Sequence, residues 1–264
     1  MKTAYVDYEN AGVGNRLFQY VYARLWCEEN GHTLLQKGIP EIEIEPSEKQ
    51  HEGVNLYMSQ KILQDYTLYN NHLEKIKQWE CFKEIKDSQT NSKDLVIHLR
   101  AGNDFLSKNA KSIPQAKDWK EGIDKIQFEK LHIVTNLKKH TKWTLEDVEN
   151  TKQGYIQNGG DGEPSSTYND NYPFVSSEES LHIINSFIEL FDEYDVVWSC
   201  GKEVDDFNYM RSFKKIMFPR STFSWWAAAT GVADEVYVYG PWSPIKTELN
   251  LGRTNYDGWN SWGN

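Results

Sequence analysis

The chain has 264 residues, with 29 Lys plus Arg against 39 Asp plus Glu and a formal net charge of −10. That length admits one large domain or two of roughly 130 residues, and the acidic surplus argues against a nucleic-acid binder or a binder of anionic membrane surfaces. Hydrophobic residues at 39% and charged residues at 26% argue against global disorder, and the three scattered cysteines, Cys27, Cys81 and Cys200, argue against a disulfide framework or a zinc knuckle.

In chain order, Thr3–Tyr8 reads as a first strand and runs into a glycine-bearing turn, Gly12-Val13-Gly14. The start, MKTAYVDYEN, carries acids where a signal peptide needs an apolar stretch. No run nears the roughly 18 apolar residues of a membrane span. A cytoplasmic protein with no membrane span is the expectation. Leu17, Val21 and Leu25, with Phe18, Tyr22 and Trp26, recur at i, i+4 spacing and predict a helix over about 15–30 that Gly31 stops. His32–Gln36 reads as a second strand, completing the start of an α/β unit. Ile42 and Ile44 alternate with Glu41, Glu43 and Glu45 and predict a strand with one wet face. Residues 58–85 read as amphipathic helix. Asp87–Asp94 is polar and turn-rich, the best candidate for a linker between domains at 1–91 and 92–264.

Leu95–Leu99 is a short apolar run suited to the centre of a sheet, and Leu131–Thr135 reads as another strand. Residues 150–173, carrying Gly159, Gly160, Gly162, Pro164 and Pro173 among Asn, Ser and Asp, predict a long loop. Ser176, followed by Glu178 and Glu179, predicts a capped helix carrying Leu181, Ile184, Phe187, Ile188 and Phe191. Asp195–Cys200 reads as a strand and Asp205-Asp206 as a solvated loop. A helix over 225–231 and a strand over Glu235–Tyr239 close the pattern.

Three segments can carry chemistry. Gly12-Val13-Gly14-Asn15-Arg16 sits between a strand and a helix, where glycines let backbone approach an anionic ligand. A plain tight turn would need the same glycines. His98 and Arg100, two apart at a strand's end, project to one side, and arginine's fork of donors matches a diphosphate. A sheet histidine beside a surface ion pair would look the same. Ser221, Thr222 and Ser224 precede a helix rich in alanine and could cradle an anion at its start, or could simply supply a helix cap. No His-Glu-x-x-His, zinc-spaced Cys pair or Asp-x-Asp supports a metal centre. Ten Trp and fifteen Tyr suit stacking on sugar rings, or a core built on large rings.

Taken in this order, the segments resemble the α-1,2-fucosyltransferase family. Gly12–Tyr20 resembles its G-L-G-N-Q-L-F-Q-Y signature, His98-Leu99-Arg100 its H-x-R-R-G-D segment, and Ser221–Ala228 its S-S-F-S-W-W-A-A segment. The resemblance implies an α/β fold of two facing Rossmann-like domains (a GT-B-like glycosyltransferase) with a cleft between them. It also implies inverting, metal-free transfer of fucose from GDP-fucose to an acceptor glycan. Carried over by position, Arg100 holds the leaving diphosphate, His98 touches the guanine or ribose side, and Ser221, Thr222 and Ser224 close on the pyrophosphate. Gly14, Asn15 and Arg16 line the cleft. The chain departs from the family at Ala101, where the second Arg would stand, at Asn103, with Asp104 one position late, and at Arg16, where the family has Gln. Arg16 would then restore the lost charge. The acceptor hydroxyl needs a base; Glu9 is the first candidate, followed by Asp7 and Asp104. A different donor, such as a xylose or rhamnose nucleotide, and a non-catalytic glycan-binding module are the alternatives.

Overall fold

A computed structural model of the chain describes residues 2–8, 12–47, 53–56, 69, 71–85, 93–101, 114–157, 176–219, 221–239 and 259–262. Strand β1 (Lys2–Val6), helix α1 (Val13–Asn30) and strand β2 (His32–Gln36) form the expected strand–helix–strand unit. The helix buries Leu17, Phe18, Val21 and Leu25, the face its periodicity predicts. It stops at Gly31, whose left-handed φ of 65° lets its N–H bond the Cys27 carbonyl. β1 and β2 pair in parallel, from Lys2 opposite His32 to Val6 opposite Gln36. The short β3 (Val54–Asn55) flanks β1 on the other side, so the described order of this sheet is β2-β1-β3.

The strand expected around residues 41–45 does not form. Pro40–Ile42 is a 3-10 turn, Glu43 takes a left-handed φ of 61°, and Ile39 and Ile44 close the loop in an antiparallel bridge. Ile39, Ile42 and Ile44 are all buried, so the apparent alternation marks a folded-back loop with one dry side. Of the helix expected over 58–85, the described part is two short helices, α2 (Leu73–Lys77) and α3 (Glu80–Lys83), and residues 57–68 lie outside the described set. The chain leaves the helix at Trp79, which is extended. The Trp79 ring packs edge-on against Tyr20, 6.1 Å away, and lies 4.1 Å under the Arg24 guanidinium.

The second sheet contains β4 (Leu95–Leu99), β5 (Leu131–Thr135), β6 (Val196–Ser199), β7 (Lys215–Phe218), β8 (Glu235–Tyr239) and β9 (Asn260–Trp262). They are parallel throughout, in the order β6-β5-β4-β7-β8-β9. Counted within the sheet this is 3-2-1-4-5-6, the doubly wound order of Rossmann-like folds, and the direction of winding reverses between β4 and β7. The chain is therefore α/β, built on parallel sheets. β4 is central, as its apolar run requires, with Leu95, Val96, Ile97 and Leu99 fully buried.

Helices α4 (Ala116–Ile123), α5 (Leu145–Gln157), α6 (Ser177–Phe191), α7 (Glu203–Arg211) and α8 (Thr222–Thr230) complete the described elements. Three expectations change here. Residues 150–157 are helical, because Thr144 and Asp147 form a reciprocal cap that starts α5 earlier. Residues 158–175 lie outside the described set. Asp205 and Asp206 belong to α7, where Asp206 accepts from the Ser199 hydroxyl at 3.0 Å and the Gly201 N–H at 3.1 Å. Asp94, the described end of the expected linker, is buried and accepts from His132 Nε2 at 3.1 Å. Ser176 does cap α6, accepting from the Glu179 N–H at 3.1 Å.

Two apolar clusters lie on opposite faces of the large sheet. One takes Leu95, Ile97 and Leu99 with α4 and α6. The other takes Val96, Ile216 and Val236 with α8, and continues through Phe18 of α1 to the small-sheet side. Arg211 reinforces that continuity. It is 1% exposed, and its guanidinium donates to the carbonyls of Phe82, Glu84 and Thr230 and to Asn208 Oδ1. Burial lowers its pKa to about 10, well above neutral pH. Arg211→Met would leave the buried Phe82 and Thr230 carbonyls and the partly exposed Glu84 carbonyl without this donor, and should cost roughly 3 kcal/mol in a urea unfolding experiment.

Candidate functional site

The site is assembled where two chain reversals meet. On β4, Val96 faces the apolar cluster that contains α8, so His98, two residues on, faces the same way. Arg100 follows just past the strand's carboxyl end, beside the point where the winding reverses. That crevice is where open α/β sheets bind ligands. β7, the neighbouring strand, runs through Pro219 into the start of α8.

Ser221 caps α8, its Oγ accepting from the Ser224 N–H at 3.2 Å. The Ser224 hydroxyl is fully buried and hydrogen-bonds His98 Nδ1. Phe223 lies between the same elements, its ring 6.0 Å from the His98 ring and 5.3 Å from Phe207 of α7. The strand-end histidine and the hydroxyl-rich helix start therefore touch across 126 positions of sequence.

The glycine turn arrives at the same place. Gly14 is buried, and a Cβ on it would lie 2.3 Å from the Phe223 nitrogen and 2.5 Å from the Thr222 carbonyl carbon. Its φ is not left-handed, so the close approach of α8, rather than a tight turn, demands glycine here. Gly12, by contrast, has no atom of a described residue within 4 Å of such a Cβ. The first turns of α1 and α8 thus meet, and neither carries an acidic residue. Helix starts carry partial positive charge, so two of them beside Arg100 make a locally electropositive spot on an acidic chain.

Other expected site residues are placed differently. Arg16 pairs with Glu41 of the 3-10 turn at 2.5 Å. Burial pushes the Glu41 carboxyl up, but the Arg16 hydrogen bond and charge outweigh it and hold the pKa below its usual value. Asn15 is half-buried in the first turn of α1. Asp7 is half-exposed and paired with Lys37. Glu9 and Asp104 lie outside the described residues, as does Asn103. Sequence reasoning missed Phe207, and it placed Phe223 in the third segment without giving it a role. The signal for Phe207 was present in the spacing of Phe207, Met210 and Arg211, the buried residues of α7. Among the described residues, no three His, Cys, Asp or Glu side chains are grouped to hold a metal, and no helix is long and apolar enough to cross a membrane.

Compared with known proteins, the chain matches no family model, no curated protein and no solved structure.

Burial, and after it the nearby Arg100 guanidinium, push the His98 pKa from 6.5 down to about 3. The folded protein thus holds a neutral imidazole, while the unfolded chain takes up a proton below about 6.5. Stability present at neutral pH is lost as pH falls, by at most about 1.4 kcal/mol per unit between the two values. His98→Asn should flatten that slope in denaturant titrations at pH 5 and pH 7. Gly14→Ala should destabilise by about 3 kcal/mol or more because backbone atoms must shift, whereas Gly12→Ala, which only exchanges a glycine helix cap for a poorer one, should cost less, about 0.5–1 kcal/mol, by urea unfolding.

Proposed function

We propose that the chain is a metal-independent, inverting glycosyltransferase that moves a fucosyl residue from GDP-fucose to a hydroxyl of an acceptor glycan. In this reading residues 1–91 and 92–264 form two facing Rossmann-like units, and the diphosphate sits between them. One observation carries it: the three segments that resemble the fucosyltransferase signatures meet at one spot, His98 on Ser224 and Gly14 against Thr222 and Phe223. The doubly wound strand order supports it by placing that spot at the sheet's reversal point.

The reaction asks two things of the protein. As the bond from the sugar C1 to the phosphate oxygen breaks, its electron pair stays on the departing GDP. Arg100 and the backbone N–H groups at the two helix starts stabilise that charge, a kind of interaction worth roughly 10²–10³ in rate per donor removed. Meanwhile the acceptor oxygen bonds C1 from the opposite face and gives its proton to a carboxylate. Glu9, next to the glycine turn, is assigned this role, with Asp104 second. The pairing of Asp7 with Lys37 makes Asp7 the weakest candidate. Arg100 is assigned to the diphosphate because it follows His98 at the end of the central strand, and Arg16, paired with Glu41, lines the cleft.

Calorimetry with GDP tests the reading, and a hydrolysis screen across fucose, xylose and rhamnose nucleotides identifies the sugar. GDP should bind, and Arg100→Ala should lower turnover at least roughly 10²-fold while circular dichroism stays unchanged. Glu9→Gln should lower turnover and leave GDP affinity as it was. A wild-type protein that binds glycans but no nucleotide would make this a glycan-binding module instead.

A further inference from the structure

The contact between His98 and Ser224 determines more than position. Ser224 is 0% exposed, and among the described residues its Oγ has a single hydrogen-bond partner, His98 Nδ1. A hydroxyl carries one proton to donate, and a neutral imidazole has one nitrogen that donates and one that accepts. Two arrangements are open. If Nδ1 carried the proton, it would donate to Oγ, and the Ser224 hydroxyl proton would be buried with no acceptor among the described residues. If Oγ donates to Nδ1, the fully buried hydroxyl is satisfied, and the N–H without a protein partner belongs instead to a ring that is only half-buried. A buried donor left unmade costs more than a typical bond contributes, so the second arrangement wins. The proton of the ring must then sit on Nε2, which has no partner among the described residues.

We propose that Ser224 is a positioning residue that fixes His98 as the Nε2–H tautomer, so that His98 offers a hydrogen-bond donor, not a proton acceptor, to a diphosphate oxygen. The electropositive surroundings favour a phosphate oxygen over an oxygen of the nucleoside. Arg100 lies two residues along the same chain segment, and the acid-free starts of α1 and α8 adjoin the Ser224 bond. His98 is thereby excluded as the base that deprotonates the acceptor. The choice of ligand rests on the function proposed above, whereas the tautomer does not.

Two measurements separate these. First, two-bond ¹H–¹⁵N correlation spectra of histidine-labelled wild-type protein read the tautomer directly. Nδ1 should appear unprotonated and Nε2 protonated, and Ser224→Ala should shift the ring towards a mixture. A protonated Nδ1 in the wild type overturns the proposal, whatever the protein binds. Second, calorimetry with inorganic pyrophosphate and with guanosine reads the ligand contact. His98→Leu should weaken pyrophosphate roughly tenfold and Ser224→Ala roughly fivefold, in line with one lost or misplaced bond to a charged group. His98→Gln, which keeps an N–H near the Nε2 position, should recover part of the loss. Weakening of guanosine alone overturns the diphosphate assignment. If the wild type shows the Nε2–H tautomer but binds neither GDP nor pyrophosphate, the function proposed above falls and the Ser224 assignment stands.

Discussion

The close approach of two helix starts is the constraint on which the site depends. With no side chain at Gly14, the first turn of α1 lies against the Thr222 and Phe223 backbone. Two like-signed helix ends repel one another, so this arrangement must be held together by other forces. The force comes from one turn further along each helix. Phe18 of α1 packs 5.2 Å from Trp225 and 4.9 Å from Trp226, and Tyr69 stands 5.4 Å from Phe18. Burying such rings stabilises by several kcal/mol in total, more than the roughly 1 kcal/mol at stake in the facing dipoles. Apolar packing thus holds an electropositive spot in place that electrostatics alone would disperse.

That use of the aromatics bears on the sequence, where the many rings read equally as core or as sugar platforms. Trp79, Trp119, Trp143, Trp225, Trp226 and Trp262 are all at most 6% exposed. The indole N–H groups of Trp119, Trp226 and Trp262 have no hydrogen-bond partner among the described residues, so area and shape, not the polar edge, are what these positions use. For those six residues the core reading holds. Half-buried rings such as Trp26, Trp198 and Trp259 are the ones left facing outward in part.

Local signals made most of the fold legible. β2, β4, β5 and β8 fall on the residues expected, because a short apolar run or a clean alternation is a strong cue. Failures came where a local pattern had two physical causes. The Glu–Ile alternation at 41–45 imitates a strand, yet Pro40 and the left-handed Glu43 turn it into a loop with one buried side. Adjacent aspartates at 205–206 look solvated, yet Asp206 is needed to hold Ser199 and Gly201. The three chemical segments were legible one by one, but their meeting was not. It depends on the face of β4 that carries Val96 and His98 and on the approach tolerated at Gly14, and both follow from the strand order rather than from spacing. Glu9 and Asp104 were equally legible as acids beside the right segments, and their placement lies outside the described residues.

The charge distribution connects these points. A chain with net charge −10 repels an anionic ligand at long range, so any affinity for a diphosphate has to be built within roughly one Debye length, about 8 Å at physiological ionic strength. Fixed, short-range donors are suited to that task, and diffuse basic patches are not. Arg16 illustrates the difference: its charge is spent on Glu41, and a cation so paired contributes little beyond its partner. His98 is the opposite case. It carries no net charge near neutral pH, yet a ring held by Ser224 presents one N–H in one direction. The site thus relies on direction more than on charge, and the buried contact that supplies the direction is also the one that ties β4 to α8.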